Sequence, residues 1–212
     1  MAPRARVTEG QLSWLLIFER PAAWEGAWAP LKDLHPMSDL GRLAELLRQK
    51  NDIDGAIAAI IGRPALIGHV GEFIAASVFG ISLHLAATNV GCDGRFHAGS
   101  LAGRSVNVKW YGKHEGLLDL SLKSPPDFYL VLAGPRSGAV SSRGGTRPWL
   151  IRHVFLFEAK ALHQALAARG VKLGTATSVA ATLWQAAEVY PTARNATLRT
   201  TTAQREARAL FQ

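Results

Sequence analysis

Residues 127–133, Asp-Phe-Tyr-Leu-Val-Leu-Ala, are apolar almost without a break. The run has strand length and is rich in β-branched and aromatic side chains. A strand apolar on both sides must be covered on both sides. This one therefore belongs at the centre of a sheet with a layer over each face, and the rest of the chain has to supply those layers.

The neighbouring segments fit. "LGRLAELLRQK" (40–50) carries Leu40, Leu43, Leu46 and Leu47 on one stripe and can be capped by Ser38 or Asp39. "NDIDGAIAAII" gives a second helix from Asn51 or Asp52. "ALIGHVGEFIAASVFG" gives a third, with Val70, Phe73, Ile74, Ser77 and Val78 on its stripe and Gly80 at its end. After Gly80 the apolar period changes from helical to two. "ISLHLAA", "GCDGRF", "RSVNVKWY", "DFYLVLAG" and "WLIRHVFLF" read as successive strands. Residues 158–169 return to helix. Thr177 or Ser178 caps a further helix, "VAATLWQAAEVY", and a final one is expected near 203–211. A short helix is also expected at 10–20, ahead of a proline-broken stretch that holds Trp24 and Trp28 as packing residues. The fold class is α/β, a mixed central sheet flanked by helices. Residues 1–66 form an N-terminal helical region, 67–190 the core and 191–212 a C-terminal extension, all in one domain overall.

The charge bears on partners. Twenty-four Lys and Arg oppose sixteen Asp and Glu, a net +8, and the isoelectric point is about 10.1. Such an excess makes a polyanion, above all nucleic acid, a candidate partner. No apolar run reaches the ~20 residues of a membrane span. "LSWLLIF" (12–18) is short, is followed by Glu19 and Arg20 and has no small-residue cleavage site, so no signal peptide is expected. The single cysteine, Cys92, fits a reducing, cytoplasmic setting and reads as a small buried hydrophobe.

Within "GRSVNVKWY", Val106, Val108 and Trp110 share one face and Ser105, Asn107, Lys109 and Tyr111 the other. Asp93 lies in the strand before, joined to this one by a connection, His97 to Gly103, short enough for a hairpin. Glu72 sits off the apolar stripe of the preceding helix, with His69 and Ala76. Periodicity alone leaves open whether Glu72 meets water or a site.

This ordered set resembles the PD-(D/E)XK, or restriction-endonuclease-like, nuclease superfamily. A Glu-bearing helix is followed by an Asp strand, an Asn107-Val108-Lys109 strand and an apolar central strand, over about residues 67–135. The resemblance implies a restriction-endonuclease-like mixed sheet and a Mg²⁺-dependent endodeoxyribonuclease of restriction or defence type, with Mn²⁺ as a substitute. Asp93 would be the central ligand, with Glu72, Asn107 and the Val108 carbonyl as further oxygens. Lys109 would orient the attacking water and offset developing charge. Asn107 stands where the pattern usually has Asp or Glu and brings an oxygen without charge. The implied partner is DNA, double-stranded by preference, with a homodimer as one way to cut both strands. Neither a small-molecule cofactor nor a membrane is implied. A degenerate member that binds nucleic acid without cutting, or a basic interaction module in a defence system, remain as alternatives.

The segment "GPRSGAVSSRGGTRP" (134–148) offers Arg136, Arg143 and Arg147 to phosphates, or is a plain surface loop. In "KWYGKHEG", Lys113 and His114 follow the candidate strand as further nucleic-acid contacts, although a turn histidine is more simply solvated. Histidine spacing gives no zinc site, and no G-x-S-x-G turn occurs.

Overall fold

The helical period ends at Gly80 for a local reason. Gly80 takes a left-handed conformation, φ 67° and ψ 56°, and its N–H closes the last turn on the Ala76 carbonyl. Glycine does this without a Cβ penalty. The chain leaves the turn extended and begins the sheet. These statements come from a computed structural model that describes residues 38–84, 91–136 and 147–212. The expected helix at 10–20, Trp24, Trp28 and Arg143 lie outside those residues.

The chain divides into two compact units, Met1–Gln49 and Lys50–Gln212. A single helix, α1 (Asp39–Ile61), runs across their boundary, and none of its residues is buried. It replaces the two helices expected on either side of Asn51. Asn and Asp are weak helix formers, but no proline or left-handed residue interrupts the run, and Lys50 pairs with Asp54 one turn on. Ser38 caps the start, its hydroxyl accepting from the Gly41 N–H at 3.2 Å.

The second unit holds α2 (Ile67–Phe79), β1 (Ile81–Leu83), β2 (Gly94–Phe96), β3 (Ser105–Tyr111) and β4 (Leu117–Leu118). Then come β5 (Phe128–Ala133), β6 (His153–Glu158), α3 (Ala159–Ala167), β7 (Thr177–Ser178), α4 (Ala181–Ala187), β8 (Glu188–Tyr190) and α5 (Thr202–Ala209). Six strands form one sheet in the order β1-β2-β3-β5-β6-β8, and β4 pairs with β7 apart from it. All neighbours in the large sheet are antiparallel except β3 and β5, which run parallel over six residue pairs from Val106–Phe128 to Tyr111–Ala133.

Every residue of β5 is buried, as a strand covered on both faces requires. On one face, Val106, Val108, Trp110, Leu130 and Leu132 pack against Ile74, Ala75 and Val78 of α2. Residues 191–212 join this layer: Leu198, Ala207 and Phe211 pack on the same core, and α5 contacts α2. The stripe α2 buries is Gly71, Ile74, Ala75, Val78 and Phe79. Phe73 and Ser77, expected on the core stripe, are exposed. On the other face, Tyr129, Val131 and Phe155 pack against Leu162 and Leu166 of α3 and Trp184 of α4.

The helix expected over 179–190 is shorter than its pattern. Thr177 and Ser178 are strand and cap nothing, and Ala180 precedes α4 without a side-chain cap. Glu188 to Tyr190 leave the helix to pair with β6. Edge pairing on β6 outweighs the helical propensity of the segment, because Val189 buries nearly all its surface there.

Candidate active site

The β2–β3 ladder stops early. Its last paired residues are Gly94 and Val106. The Asp93 N–H still bonds the Val106 carbonyl at 2.9 Å, so Asp93 stands just before the strand and shares Val106 with the paired Gly94. There the side chain takes over from the backbone: Asp93 Oδ2 accepts the Val108 N–H at 2.7 Å. The N–H and C=O of one strand residue point to the same edge. The Val108 carbonyl therefore faces the gap where β2 has ended, beside the Asp93 carboxylate.

Asn107 and Lys109 follow on the same strand face, as their spacing requires. Lys109 is half-buried and forms no ion pair among the described residues. Asn107 is 5% exposed, and its Oδ1 is buried with no hydrogen-bond partner. The polar face of β3 is thus not simply solvated. Leaving such an amide oxygen unpaired costs about 1–3 kcal/mol.

Glu72 arrives from α2, on the opposite sheet face. Its side chain is 16% exposed and is held by Arg63 Nη1 at 2.5 Å. Glu72 therefore meets neither open water nor the core, and sits in a charged contact close enough to act on Asp93. Burial pushes the Asp93 carboxyl above the ordinary carboxylate range. The Val108 N–H pulls it down, the Glu72 charge pushes it up, and Lys109 and Arg63 pull it down, with a net rise. Nothing in the sequence spacing pointed to Arg63, nine residues before Glu72 in a Gly-Arg-Pro turn. His84 is a second residue the sequence reading missed. Its N–H bonds the Asp93 carbonyl at 2.9 Å, and its Nε2 lies 3.6 Å from Cys92 Sγ. Cys92 is only partly buried and donates to the Gly94 carbonyl.

The candidate oxygen donors are the Asp93 carboxylate, the Val108 carbonyl and the unpaired Asn107 Oδ1 and, from the other sheet face, Glu72. No group of three or more His, Cys, Asp and Glu fit to hold a metal occurs among the described residues. The set suits a hard cation of the Mg²⁺ type, which takes one or two carboxylates and keeps its waters. It does not suit zinc. The orphaned amide oxygen is the structural observation that fits an added cation. Asn107→Asp tests the point. Without metal it should lower the melting temperature, because a charge would replace a neutral amide at a position only 5% exposed. With Mg²⁺ it should lower the concentration needed for half-maximal stabilisation roughly tenfold, equivalent to about 1.4 kcal/mol.

The remaining candidates divide between two cavities flanking residues 112–116. Lys113 and Arg147 line one of about 300 Å³ with Trp110 and Trp149. His114 and Arg136 line the other, of about 370 Å³, with Trp184 and Gln185. His114 is not a solvated turn residue. Both ring nitrogens are buried without partners, and the ring lies 4.5 Å from Trp184 and 4.9 Å from Phe155, centroid to centroid. Burial lowers its pKa to about 4, helped by the positive Arg136 and by His153 and opposed by Glu188. A ring kept neutral is a poor phosphate contact. Arg136 lies 3.8 Å from the buried Glu188, and Arg147 lies 3.4 Å from Glu115.

The His114 shift has a sign that can be measured. The unfolded chain binds a proton near pH 6.5 that the folded ring refuses until about pH 4. Stability from this group is complete above that window and is lost as pH falls through it. His153 and His163 shift in the same direction, burial being the first cause for each. His114→Phe should shrink the drop in melting temperature between pH 7 and pH 4, followed by circular dichroism.

Comparison with protein-family models, with curated proteins and with solved structures gives no match to this chain.

Proposed function

We propose that the protein is a Mg²⁺-dependent DNA endonuclease of the restriction-endonuclease-like type. The observation that carries this reading is the broken ladder: Asp93 caps Val108 with its carboxylate, and Asn107 and Lys109 flank Val108 on the same strand. The order of Glu-bearing helix, Asp, Asn-x-Lys strand and buried central strand supports it, as does a mixed sheet with helices on both faces. The net charge of +8 supports a phosphate-rich substrate.

In this reading Asp93, Glu72, Asn107 Oδ1 and the Val108 carbonyl hold the cation. When bound, it supplies Lewis acidity and offsets the charge of the phosphodiester. Lys109 holds the attacking water and places a positive charge where the transition state gains a negative one. Arg63 holds Glu72 in place. The raised affinity of Asp93 for a proton means cation and proton compete there, so cleavage should rise with pH as the carboxyl ionises.

The test is nicking of supercoiled plasmid by the full chain with Mg²⁺ or Mn²⁺, beside Asp93→Asn. Asparagine keeps an oxygen for the Val108 N–H and removes the charge, so a loss of cutting reports chemistry and not folding. Metal-dependent nicking by wild type alone is expected. Equal nicking by both would sink the site.

One contact favours a second reading, a nucleic-acid-binding protein that no longer cuts. Glu72 is already paired with Arg63 at 2.5 Å and Asn107 brings no charge, so Asp93 is the one carboxylate of the candidate set outside an ion pair among the described residues. Salt-sensitive DNA binding without nicking by any form would select this reading.

A further inference from the structure

The cavity at the end of β3 combines features the catalytic reading does not use. Trp149 is 41% exposed and rests on Trp110, ring centroids 5.8 Å apart at 57°. Trp110 is 7% exposed, and its indole N–H reaches the Leu150 carbonyl at 3.4 Å, so the ring beneath is fixed. Lys113 and Arg147 line the same space, with Ile67 at its floor and Glu115 beside Arg147. Lys113 forms no ion pair among the described residues. At about 300 Å³ the space stands at the lower end of pockets that take small planar ligands, ~300–1,000 Å³. β3 ends at Tyr111, two residues past Lys109, which puts the near side of the cavity roughly 7 Å farther along at ~3.3 Å per residue.

An exposed aromatic plane with cations at its rim is the equipment that binds a base by stacking and its backbone by charge. We propose that this cavity takes an unpaired nucleobase of the DNA strand presented to the Asp93–Lys109 edge, so that the preferred substrate carries single-stranded DNA at or next to the cut. The proposal rests on the nuclease reading for the strand's path. A paired base faces its partner and reaches a side chain only after leaving the stack, which costs a few kcal/mol. A strand already unpaired is free of that cost. Lys113 and Arg147 then hold the flanking phosphates, Arg147 turning from Glu115 to do so.

The test is binding, measured by fluorescence anisotropy in EDTA so that an inactive protein still answers. The probes are one labelled sequence as a single strand, as a duplex with a single-stranded overhang and as a blunt duplex. The single strand and the overhang should bind about tenfold more tightly than the blunt duplex. Trp149→Ala should weaken them roughly tenfold to a hundredfold and leave the blunt duplex unchanged. Trp149→Phe should retain most of the affinity. Trp149→Leu keeps apolar contact with Trp110 without a stacking plane, and should fall with alanine even if the alanine variant folds poorly. Unchanged single-strand affinity in Trp149→Leu, or tighter binding of the blunt duplex, overturns the proposal. The two readings fail separately: tight, Trp149-dependent binding by a protein that never nicks supports the base pocket and removes the nuclease. Nicking that ignores Trp149 and strand pairing does the reverse.

Discussion

Lys109→Ala should reduce metal-dependent cleavage by roughly two to four orders of magnitude while leaving the melting temperature nearly unchanged. The split follows from where Lys109 sits. It is the strand residue after the Asp93-capped Val108, half-buried and without an ion pair among the described residues. Removing it breaks no described salt bridge and opens no space in either core. What disappears is a positive charge acting on the Asp93 carboxylate and, in the proposed nuclease, a donor for the attacking water. The charge also helps keep Asp93 ionised, so the variant's pH–rate profile should move to higher pH. Lys109→Arg keeps the charge but delivers it as a planar fork on a different stem, and should recover only part of the rate. Steady-state nicking from pH 6 to 9 and a thermal melt decide the matter. A variant that cuts at the wild-type rate would remove Lys109 from the chemistry.

Gly134→Ala should show the converse, a large loss of stability with no direct effect on the proposed catalytic edge. Gly134 follows β5 and donates its N–H to the Tyr111 carbonyl at 2.8 Å. A Cβ there would lie 2.1 Å from the Gly112 carbonyl oxygen and 2.7 Å from its carbon. The obstacle is backbone, which cannot rotate aside as a side chain would. The ends of β3 and β5 would have to part, disturbing a parallel pair whose residues are among the most buried in the protein. A cost of about 3 kcal/mol is expected, at the upper end for overpacking. Urea titration measures it, with an unchanged m-value showing that the native state alone was affected. Gly112, which the added Cβ would displace, also lines the tryptophan cavity, so any surviving protein should show weakened single-strand binding.

The sheet was legible because its signal is local. The apolar run at 127–133, the period-two strand at 105–111 and the turn at Gly80 each carry their structure in neighbouring residues, and each lies where the pattern placed it. The misplaced elements answer to distant partners. Asn51 and Asp52 carry a helix-start signal that a continuous helix overrides. The segment 188–190 has a helical pattern but pairs with β6, thirty-odd residues earlier, a partner no window includes. The α2 stripe turned by about one residue because the helix settles on Trp110 from β3, and single-helix periodicity cannot register that neighbour.

The candidate site divides in the same way. The hairpin connection brought Asp93 to β3, where it caps Val108, and alternation put Asn107 and Lys109 on one face. The Arg63–Glu72 contact, the His84 backbone bond and the aromatic enclosure of His114 depend on side chains meeting across elements. His114 shows the difference plainly: its flanking residues read as a turn, yet the ring is enclosed by Phe155 and Trp184 from two separate elements.

The sole cysteine gives the molecule its own reporter position. Cys92 is adjacent in sequence to the carboxylate that ends the ladder, only partly buried, with its sulfur anchored to the Gly94 carbonyl. A thiol-reactive fluorophore or spin label can attach there and nowhere else on the chain. In the proposed nuclease its signal would register divalent cations arriving at Asp93 and strands passing along β3 in real time, without a cysteine having to be added or removed.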